Sequence, residues 1–402
     1  MPSAQTRATG GSAPNAAAAP LATTPNHVWG LFSMAWAHFL NDGGSNYLPA
    51  VLPAILIALD IRLALVGVVM SALLIGQALQ PACGWIADRV GGRAFVIAGV
   101  TLSTVAGALV GIVPGYYSLL GVLLLVGMGS AIFHPQALAA VREMSTRRQG
   151  LYISIFLIGG ELGRGLWPMV AALAVEYFGL RGLLLLALPT ILTMPLIVHE
   201  LPRLRARPSE PAHRAHINAN FWPLVSVVAY SSTRAVVMYS LTTFLPLLWK
   251  EQGGSLVGGA SLITTLLTVG VLGNLGGGHL SDHFSRKSVV IGATALSAVF
   301  LGLYLLTGGL MQWLILGVLG ITIFSTFPLQ ILIAQDLLPD NRALGSGLAL
   351  GFSNGIGAGA MIPLGPLAAH WSIPAVLWLN VGLTLLALAL ALALPATGPR
   401  PE

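Results

Sequence analysis

The same pattern occurs twice in this chain, first as Gly84-Trp85-Ile86-Ala87-Asp88-Arg89-Val90-Gly91-Gly92-Arg93 and again as Gly278-His279-Leu280-Ser281-Asp282-His283-Phe284-Ser285-Arg286-Lys287. Each copy begins with a small residue at the end of an apolar segment, has an aspartate four residues later, and continues into a short basic loop. One copy lies in each half of the chain. A repeat at the same place in both halves predicts two homologous units that arose by duplication.

The composition indicates a membrane protein. Of the 402 residues, 55% are hydrophobic and only 8% are charged, and the mean hydropathy is +0.83. Soluble domains carry about 25% charged residues, and one bilayer helix needs about 20 apolar residues. The sequence predicts twelve such spans, at 28–58, 64–87, 94–113, 116–140, 149–176, 181–199, 219–249, 256–280, 288–307, 311–335, 342–369 and 373–395.

The net charge of +6 reflects topology, and we expect no nucleic-acid partner. The predicted outer loops hold only Arg62, Arg181 and Lys250, whereas most other basic residues fall in the predicted inner segments. Cytoplasmic loops are enriched in Lys and Arg. We therefore expect a monomeric multi-pass protein of the inner, cytoplasmic membrane with both termini in the cytoplasm.

The chain divides into five predicted parts. Residues 1–26 are rich in Ala, Pro, Gly and Thr and contain no apolar run of signal-peptide length, which favours a disordered cytoplasmic tail. A six-helix bundle at 27–199 is followed by a cytoplasmic linker at 200–218 with three prolines and four arginines. A second six-helix bundle at 219–395 and a cytoplasmic tail at 396–402 complete the chain.

The repeated loop predicts a cytoplasmic gate. An aspartate at a helix end can face the positive end of a helix from the other half, and the basic residues after it can pair with acids or carbonyls. Such contacts form in one conformation and break in the other. The alternative is that the loop residues only follow the positive-inside bias. The gating candidates are Asp88, Arg89, Arg93, Asp282, Arg286 and Lys287.

Ionisable residues inside the predicted spans mark the candidate site, because each costs about 2.5–3.5 kcal/mol to insert on translocon scales. They are His38, Asp42, His134, Glu161, Arg164 and Arg234. His38 and Asp42 share one helix face, and Glu161 and Arg164 are close enough to touch. We expect Asp42, Glu161, His38 and His134 to couple transport to protons. Asp42 is the main candidate because its own segment offers no cation.

The substrate-binding candidates include both intramembrane arginines. Arg164 and Arg234, with Glu161, favour a substrate that carries a carboxylate, phosphonate or similar anion. Asn41, Tyr47 and Trp167 complete the set. Packing remains the alternative for the two aromatic residues.

The ionisable residues also have purely structural interpretations. Glu161 and Arg164 could form only a structural ion pair. His134 could only satisfy backbone carbonyls freed by Pro135. Arg234 could extend to the cytoplasmic surface if its helix begins late.

The repeated loop resembles that of the major facilitator superfamily, which carries this pattern between its second and third helices. Within that superfamily, His38-Phe39-Leu40-Asn41-Asp42 and Phe133-His134-Pro135 resemble segments of the fosmidomycin-resistance-type exporters. The resemblance implies an all-α membrane protein with twelve helices in two pseudo-symmetric bundles. It also implies proton-coupled export of small polar or anionic compounds, with an acid on the first helix as proton carrier. Three residues depart from the family pattern, namely Gln136, Glu161 and Arg164.

The sequence therefore predicts a proton-coupled secondary transporter that exports a small anionic or zwitterionic compound. No Gly-x-x-x-x-Gly-Lys-Ser/Thr loop is present, so energy would come from a gradient. No catalytic motif points to an enzyme, and we expect no cofactor. An importer of an organic anion is the first alternative. Export of a metal or metal chelate is the second, with His38, Asp42, His134 and Glu161 as ligands, although the two arginines would repel a bare cation.

Overall fold

A computed structural model describes residues 27–90, 92–144, 149–201 and 221–396. This part of the chain is almost entirely helical and contains no β-strand. The predicted tail 1–26 and nearly all of the predicted linker 200–218 and tail 396–402 lie outside the described residues.

Sixteen α-helices form the described chain, and several are separated only by a short turn. The first half contains α1 (His27–Asn46), α2 (Leu48–Ala58), α3 (Val66–Ala78), α4 (Gln80–Val90), α5 (Arg93–Leu109), α6 (Tyr116–Glu143), α7 (Gln149–Phe178) and α8 (Leu188–Glu200). The second half contains α9 (Phe221–Glu251), α10 (Leu256–His283), α11 (Arg286–Leu306), α12 (Met311–Ser325), α13 (Phe327–Leu337), α14 (Arg342–Ser346), α15 (Ser353–His370) and α16 (Ile373–Leu392).

Ten helical segments in the described ranges are long and apolar enough to cross a bilayer. The predicted spans 28–58 and 149–176 are not among them. The first is interrupted at Tyr47, between α1 and α2, and the second corresponds to α7, which carries Glu161 and Arg164. These two segments hold most of the ionisable candidate residues, whose polar side chains lower the local hydropathy.

Polar side chains explain why the first helix ends at Asn46. The hydroxyl of Ser45 donates to the carbonyl of Asn41 at 2.6 Å, and the Asn46 amide donates to the Asp42 carbonyl at 2.8 Å. Side chains that bond backbone carbonyls one turn earlier offer the backbone an alternative to the regular helix. The irregular stretch therefore lies directly after Asp42.

Helix α7 packs against α1 through glycines. A Cβ at Gly159 or Gly163 would collide with the carbonyl oxygens of Ala35 and Phe39 in α1. The same helix also packs against the second half, where Gly165 meets Thr268 of α10.

The two halves of the chain also touch closely at one end. A Cβ at Gly67 in α3 would collide with the carbonyl of Met361 in α15, and the Ser71 hydroxyl donates to the Ala358 carbonyl at 2.6 Å. Gly365 lies equally close to the backbone of Ala64. The backbones thus come together at the end of the molecule where α3 begins, far from the Asp88 loop.

Candidate functional site

Asp42 lies at the centre of a group of charged side chains, which we call the Asp42 cluster: Asp42, His38, His134, Glu161 and Arg164. Asp42 and His38 are buried, and the other three are partly exposed. The side chain of Asp42 is 1% exposed, and its Oδ2 lies 2.8 Å from Nη2 of Arg164. Its Oδ1 lies 3.0 Å from Nε2 of His134, and Nε2 of His38 lies 3.5 Å from Oδ2. Helices α1, α6 and α7 therefore each contribute at least one basic side chain to one carboxylate.

This arrangement corrects the premise that Asp42 has no neighbouring cation. Arg164 is 122 residues away in sequence but donates a charge-assisted hydrogen bond to the carboxylate. The sequence shows only the neighbours on the same helix, whereas this partner depends on how α7 packs on α1. A buried acid with such a partner is compensated for its loss of hydration.

Arg164 pairs with two acids and still has an unused donor. Its Nη1 lies 3.6 Å from Oε1 of Glu161, a looser contact than its hydrogen bond to Asp42. Among the described residues, no hydrogen-bond partner reaches its buried Nε. The side chains of Arg164 and Glu161 are 31% and 18% exposed. Arg164 can thus offer donors to a further anion that enters from the exposed side.

Asn41 holds the carboxylate in place. Its amide nitrogen donates to Oδ1 of Asp42 at 3.0 Å, and its amide oxygen accepts from the hydroxyl of Ser103 in α5 at 2.8 Å. Asn41 is itself fully buried. In this structure it orients Asp42, so a contact with substrate would require its hydrogen bonds to change.

The two histidine rings of the cluster are each tied to a backbone carbonyl. Nδ1 of His38 lies 2.9 Å from the carbonyl oxygen of Phe156, and Nδ1 of His134 lies 2.8 Å from that of Ser130. Pro135 frees the carbonyl of residue 131, yet the His134 ring bonds that of Ser130 instead. Its other nitrogen faces Asp42, so satisfying a freed carbonyl does not account for this ring.

Arg234 lies well inside α9, thirteen residues after the helix begins at Phe221, which excludes the interpretation that it sits at the helix start. Its Nε donates to Oγ1 of Thr326 at 3.1 Å, and its guanidinium lies 5.0 Å from the ring centre of Phe327. It interacts electrostatically with Glu161 and Arg164 of the first half. No acid in the described part of the chain forms an ion pair with it.

A small polar cavity lies beside Arg234. Its volume is about 30 Å³, and Tyr230, Thr294 and Thr326 contribute hydroxyl groups to its wall. Such a volume suffices for a water molecule. The cavity leaves room for hydration next to Arg234, which has no ion-pair partner in the part of the chain that the structure describes.

Tyr47 and Trp167, two substrate-binding candidates, are both buried. The Tyr47 hydroxyl donates to the carbonyl of Gly107 in α5 at 2.6 Å, which places this side chain in the packing of α1. Trp167 packs edge-on to Phe39, with ring centres 5.3 Å apart. Its indole nitrogen has no hydrogen-bond partner among the described residues, so Trp167 keeps a donor that Tyr47 does not.

The gating candidates with described contacts bind within their own half. Arg93 donates to the carbonyl of Val198 in α8, and Arg286 pairs with Asp336 in α13. Arg89 lies over the ring of Trp85, 3.4 Å from its centre. Arg93 and Arg286 thus contact a carbonyl and an acid, the kinds of partner that the sequence predicts for these residues, while their role in gating stays a prediction.

The other gating candidates show less. Asp282 is exposed and Lys287 is partly buried, and the side chain of Asp88 lies outside those that the structure describes.

The Asp42 cluster also presents a donor set of the kind that binds transition metals. Ligand atoms of His38, Asp42 and His134 lie within 4.8 Å of one another. However, Arg164 already contacts the carboxylate at 2.8 Å, and a fixed guanidinium repels a divalent cation at that distance. The residues present do not fit a resident metal.

Several residues that shape the site were missed by the sequence analysis. Ser103, Ser130 and Thr326 position Asn41, His134 and Arg234 through hydrogen bonds. The signal was weak, because isolated hydroxyl residues are common in membrane helices. Asp336 had a clearer one: it is an acid at the end of a predicted span, on the side predicted to be rich in basic residues.

Comparison with known proteins places the chain in a family. The sequence profile of the Major Facilitator Superfamily matches residues 34–360. The chain is 24% identical over 351 residues to the uncharacterized MFS-type transporter YfnC of Bacillus subtilis (strain 168), covering 82% of this chain and 84% of that protein. It is 26% identical over 385 residues to the fosmidomycin resistance protein of Escherichia coli (strain K12), covering 90% and 92%.

A solved structure shares the fold. A bacterial homolog of the human lysosomal transporter Spinster, in an inward-facing and occupied conformation, superimposes with a TM-score of 0.75 at 16% identity, covering 92% of this chain and 97% of that one. The predicted family resemblance is confirmed by these matches. The protein is a membrane transporter and not an enzyme, and the chain belongs to the Major Facilitator Superfamily.

Proposed function

We propose that this protein is a proton-coupled secondary transporter that exports a small anionic or zwitterionic compound by alternating access. The observation that carries the proposal is the Asp42 cluster, where a buried carboxylate contacts Arg164 at 2.8 Å and His134 at 3.0 Å. Ionisable groups at bilayer depth are costly. Their concentration at one point supports a transport role, with Asp42, Glu161, His38 and His134 as the group that couples transport to protons.

The arginines support an anionic substrate. Arg164 keeps an unused Nε donor, and Arg234 has no acid partner among the described residues. The two guanidinium groups are close enough to repel each other, and one belongs to each half of the chain. An anion that binds both would contact the two halves at once, which is the requirement for substrate-dependent rocking.

The relatives support export as the direction. One of them is a fosmidomycin resistance protein, and resistance to a compound is compatible with its removal from the cell. Import of an organic anion would use the same residues with the opposite net direction. Metal export is disfavoured by the contact between Arg164 and Asp42.

The proposed architecture is twelve spans in two six-helix bundles, joined by the linker 200–218, with both termini in the cytoplasm. The doubled loop and the basic asymmetry support it. In this orientation, the close contacts of Gly67 and Ser71 with α15 lie on the outer side. The described state would then be closed outward.

The test is a proteoliposome assay in which lumenal pH is followed while a panel of organic anions and drugs, including fosmidomycin, is added. We expect at least one anionic compound to change the lumenal pH, and Glu161→Gln, Arg164→Gln liposomes to respond to none. If no compound moves protons, while one is transported without any pH change, then proton coupling is wrong.

A further inference from the structure

The hydrogen bonds of His134 restrict where a proton can lie. A backbone carbonyl can only accept, and Nδ1 of His134 is 2.8 Å from the carbonyl oxygen of Ser130. Nδ1 must therefore carry a hydrogen. The Ser130 hydroxyl lies farther from the same nitrogen, at 3.3 Å, and the shorter contact decides the tautomer.

This tautomer leaves the other ring nitrogen facing a carboxylate. Nε2 of His134 lies 3.0 Å from Oδ1 of Asp42. Without a hydrogen between them, two lone pairs would face each other at hydrogen-bond distance. One proton must therefore lie between these atoms, on the ring as an imidazolium or on the carboxyl as a neutral acid.

The other partners of Asp42 favour its ionised form. Arg164 donates to Oδ2 at 2.8 Å, and Asn41 donates to Oδ1 at 3.0 Å. Hydrogen bonds and a cation that face a carboxylate stabilise its charge. Glu161 contacts the other terminal nitrogen of Arg164, Nη1. From α5, the neutral hydroxyl of Ser103 faces the site and bonds to the side chain of Asn41.

His38 is placed less well to share this proton. Its Nδ1 is tied to the Phe156 carbonyl at 2.9 Å, as in His134, but its Nε2 is 3.5 Å from Asp42. That separation is an ion-pair distance and exceeds the usual range of an N–H···O bond.

We propose that His134 carries the transported proton and that Asp42 acts as its permanent counter-anion. The inference rests on the proposed function and deepens it. Release breaks the Nε2–H bond and transfers the proton to water, while the carboxylate stays ionised. The bare nitrogen and Oδ1 then repel at 3.0 Å, so the ring must leave Asp42. His134 precedes Pro135 in α6, where a backbone hydrogen bond is already missing, so this ring sits at a point where α6 bends readily.

The proposal is tested by isotope-labelled histidine nitrogens in the purified protein in lipid nanodiscs. At neutral pH, we expect one buried histidine with both nitrogens protonated. Its signal should disappear in His134→Gln and persist in the control His370→Gln, which changes an exposed histidine at the end of α15. A neutral His134, together with an infrared carboxylic-acid band that is lost in Asp42→Asn, would overturn the proposal.

Transport measurements distinguish a failure of the His134 assignment from a failure of the proposed function. In proteoliposomes, His134→Gln should lose accumulation driven by a pH gradient and keep exchange of substrate across the membrane within about threefold. If pH-driven accumulation survives in this variant, then the proton is carried elsewhere and the His134 assignment fails. If the wild type shows the imidazolium but no compound is ever coupled to protons, then the proposed function fails and the protonation site stands.

Discussion

The two halves hold different chemistry at one matched position, where Phe133-His134-Pro135 of the first half aligns with Thr326-Phe327-Pro328 of the second. In the first half, His134 of Phe133-His134-Pro135 faces the carboxylate of Asp42 in α1 at 3.0 Å. In the second half, Phe327 of Thr326-Phe327-Pro328 faces the guanidinium of Arg234 in α9 at 5.0 Å. A histidine and a carboxylate can exchange a proton, whereas an arginine over a phenyl ring cannot. At this matched position, the first half thus has a pair of side chains that can exchange a proton, whereas the second half has a pair that cannot.

The helices that carry these positions also differ. Helix α6 continues through Pro135 to Glu143, but its counterpart is interrupted at Thr326, between α12 and α13. Helix α7 is likewise unbroken, whereas α15 follows a π-helical turn at Gly347–Phe352. The interruptions also differ at the charged residues: α1 ends at Asn46, shortly after Asp42, whereas α9, which carries Arg234, continues from Phe221 to Glu251.

The largest effect is expected from removing Arg164, a cation that has no counterpart at the matching position of the second half. Arg164→Ala leaves both Asp42 and Glu161 without their guanidinium partner. Breaking a buried pair typically costs about 3–5 kcal/mol, so we expect a large loss of thermal stability in detergent. In the second half, Ala358 of Gly357-Ala358-Gly359 aligns with Arg164 of Gly163-Arg164-Gly165, and Gly355 aligns with Glu161, so the matching positions hold no ion pair.

The matched control is the double variant Glu161→Gln, Arg164→Gln. Asp42 keeps His134 and His38 as partners, so we expect normal folding and insertion but no binding of the anionic substrate. Transport at the wild-type rate in this variant would mean that Glu161 and Arg164 only support the structure. The substrate site would then have to be rebuilt around Arg234.

Next in size is the loss of proton coupling in Asp42→Asn. The amide cannot hold the charge that His134 needs, so accumulation driven by a pH gradient should be abolished, while exchange of substrate between the two sides continues. Counterflow and pH-jump assays on the same liposomes measure both. Persistent pH-driven accumulation would transfer the coupling role to Glu161 and weaken the contrast between the halves.

Substitution of Arg234 tests whether a cation of the second half binds the anionic substrate. Arg234→Gln should weaken binding of the anionic substrate by about 1.5–3 kcal/mol, the usual value of a hydrogen bond to a charged group, and leave the pH dependence of transport unchanged. Binding is measured by calorimetry, with Arg234→Lys as the control that keeps the charge. A changed pH profile in Arg234→Gln would show that the second half shares in proton coupling.

A smaller effect is expected at the repeated loop. Asp88→Asn should slow transport with little change in substrate affinity at equilibrium, because we expect it to perturb the gate and not the substrate site. The same substitution at Asp282 tests whether the second copy contributes equally. An affinity loss as large as the rate loss would contradict a gating role for Asp88.

The smallest perturbation tests the topology. On a Cys83→Ser background, Glu210→Cys in the predicted linker should leave transport intact and resist membrane-impermeant thiol reagents in intact cells. Labelling from outside would invert the assigned sides of both halves.

The charged residues of the site can be predicted from the sequence, but the contacts between them cannot. His38, Asp42, His134, Glu161, Arg164 and Arg234 are visible because charge is conspicuous in an apolar segment. The partner of Asp42 was not visible, since helix periodicity relates only residues on one helix. For the same reason, the sequence does not show that Gly159 and Gly163 of α7 meet α1 while Gly165 meets α10.

By itself, the sequence determined the membrane environment, the repeated loop pattern and the short set of ionisable residues. Composition, repeats and the cost of buried charge are properties of the chain that hold for any packing. Only the tertiary structure decided that Arg164 binds Asp42, that the carbonyls of Phe156 and Ser130 set the histidine tautomers, and that Arg234 has no described acidic partner. These facts depend on which faces of α1, α6, α7 and α9 meet, and small residues at distant positions determine that contact.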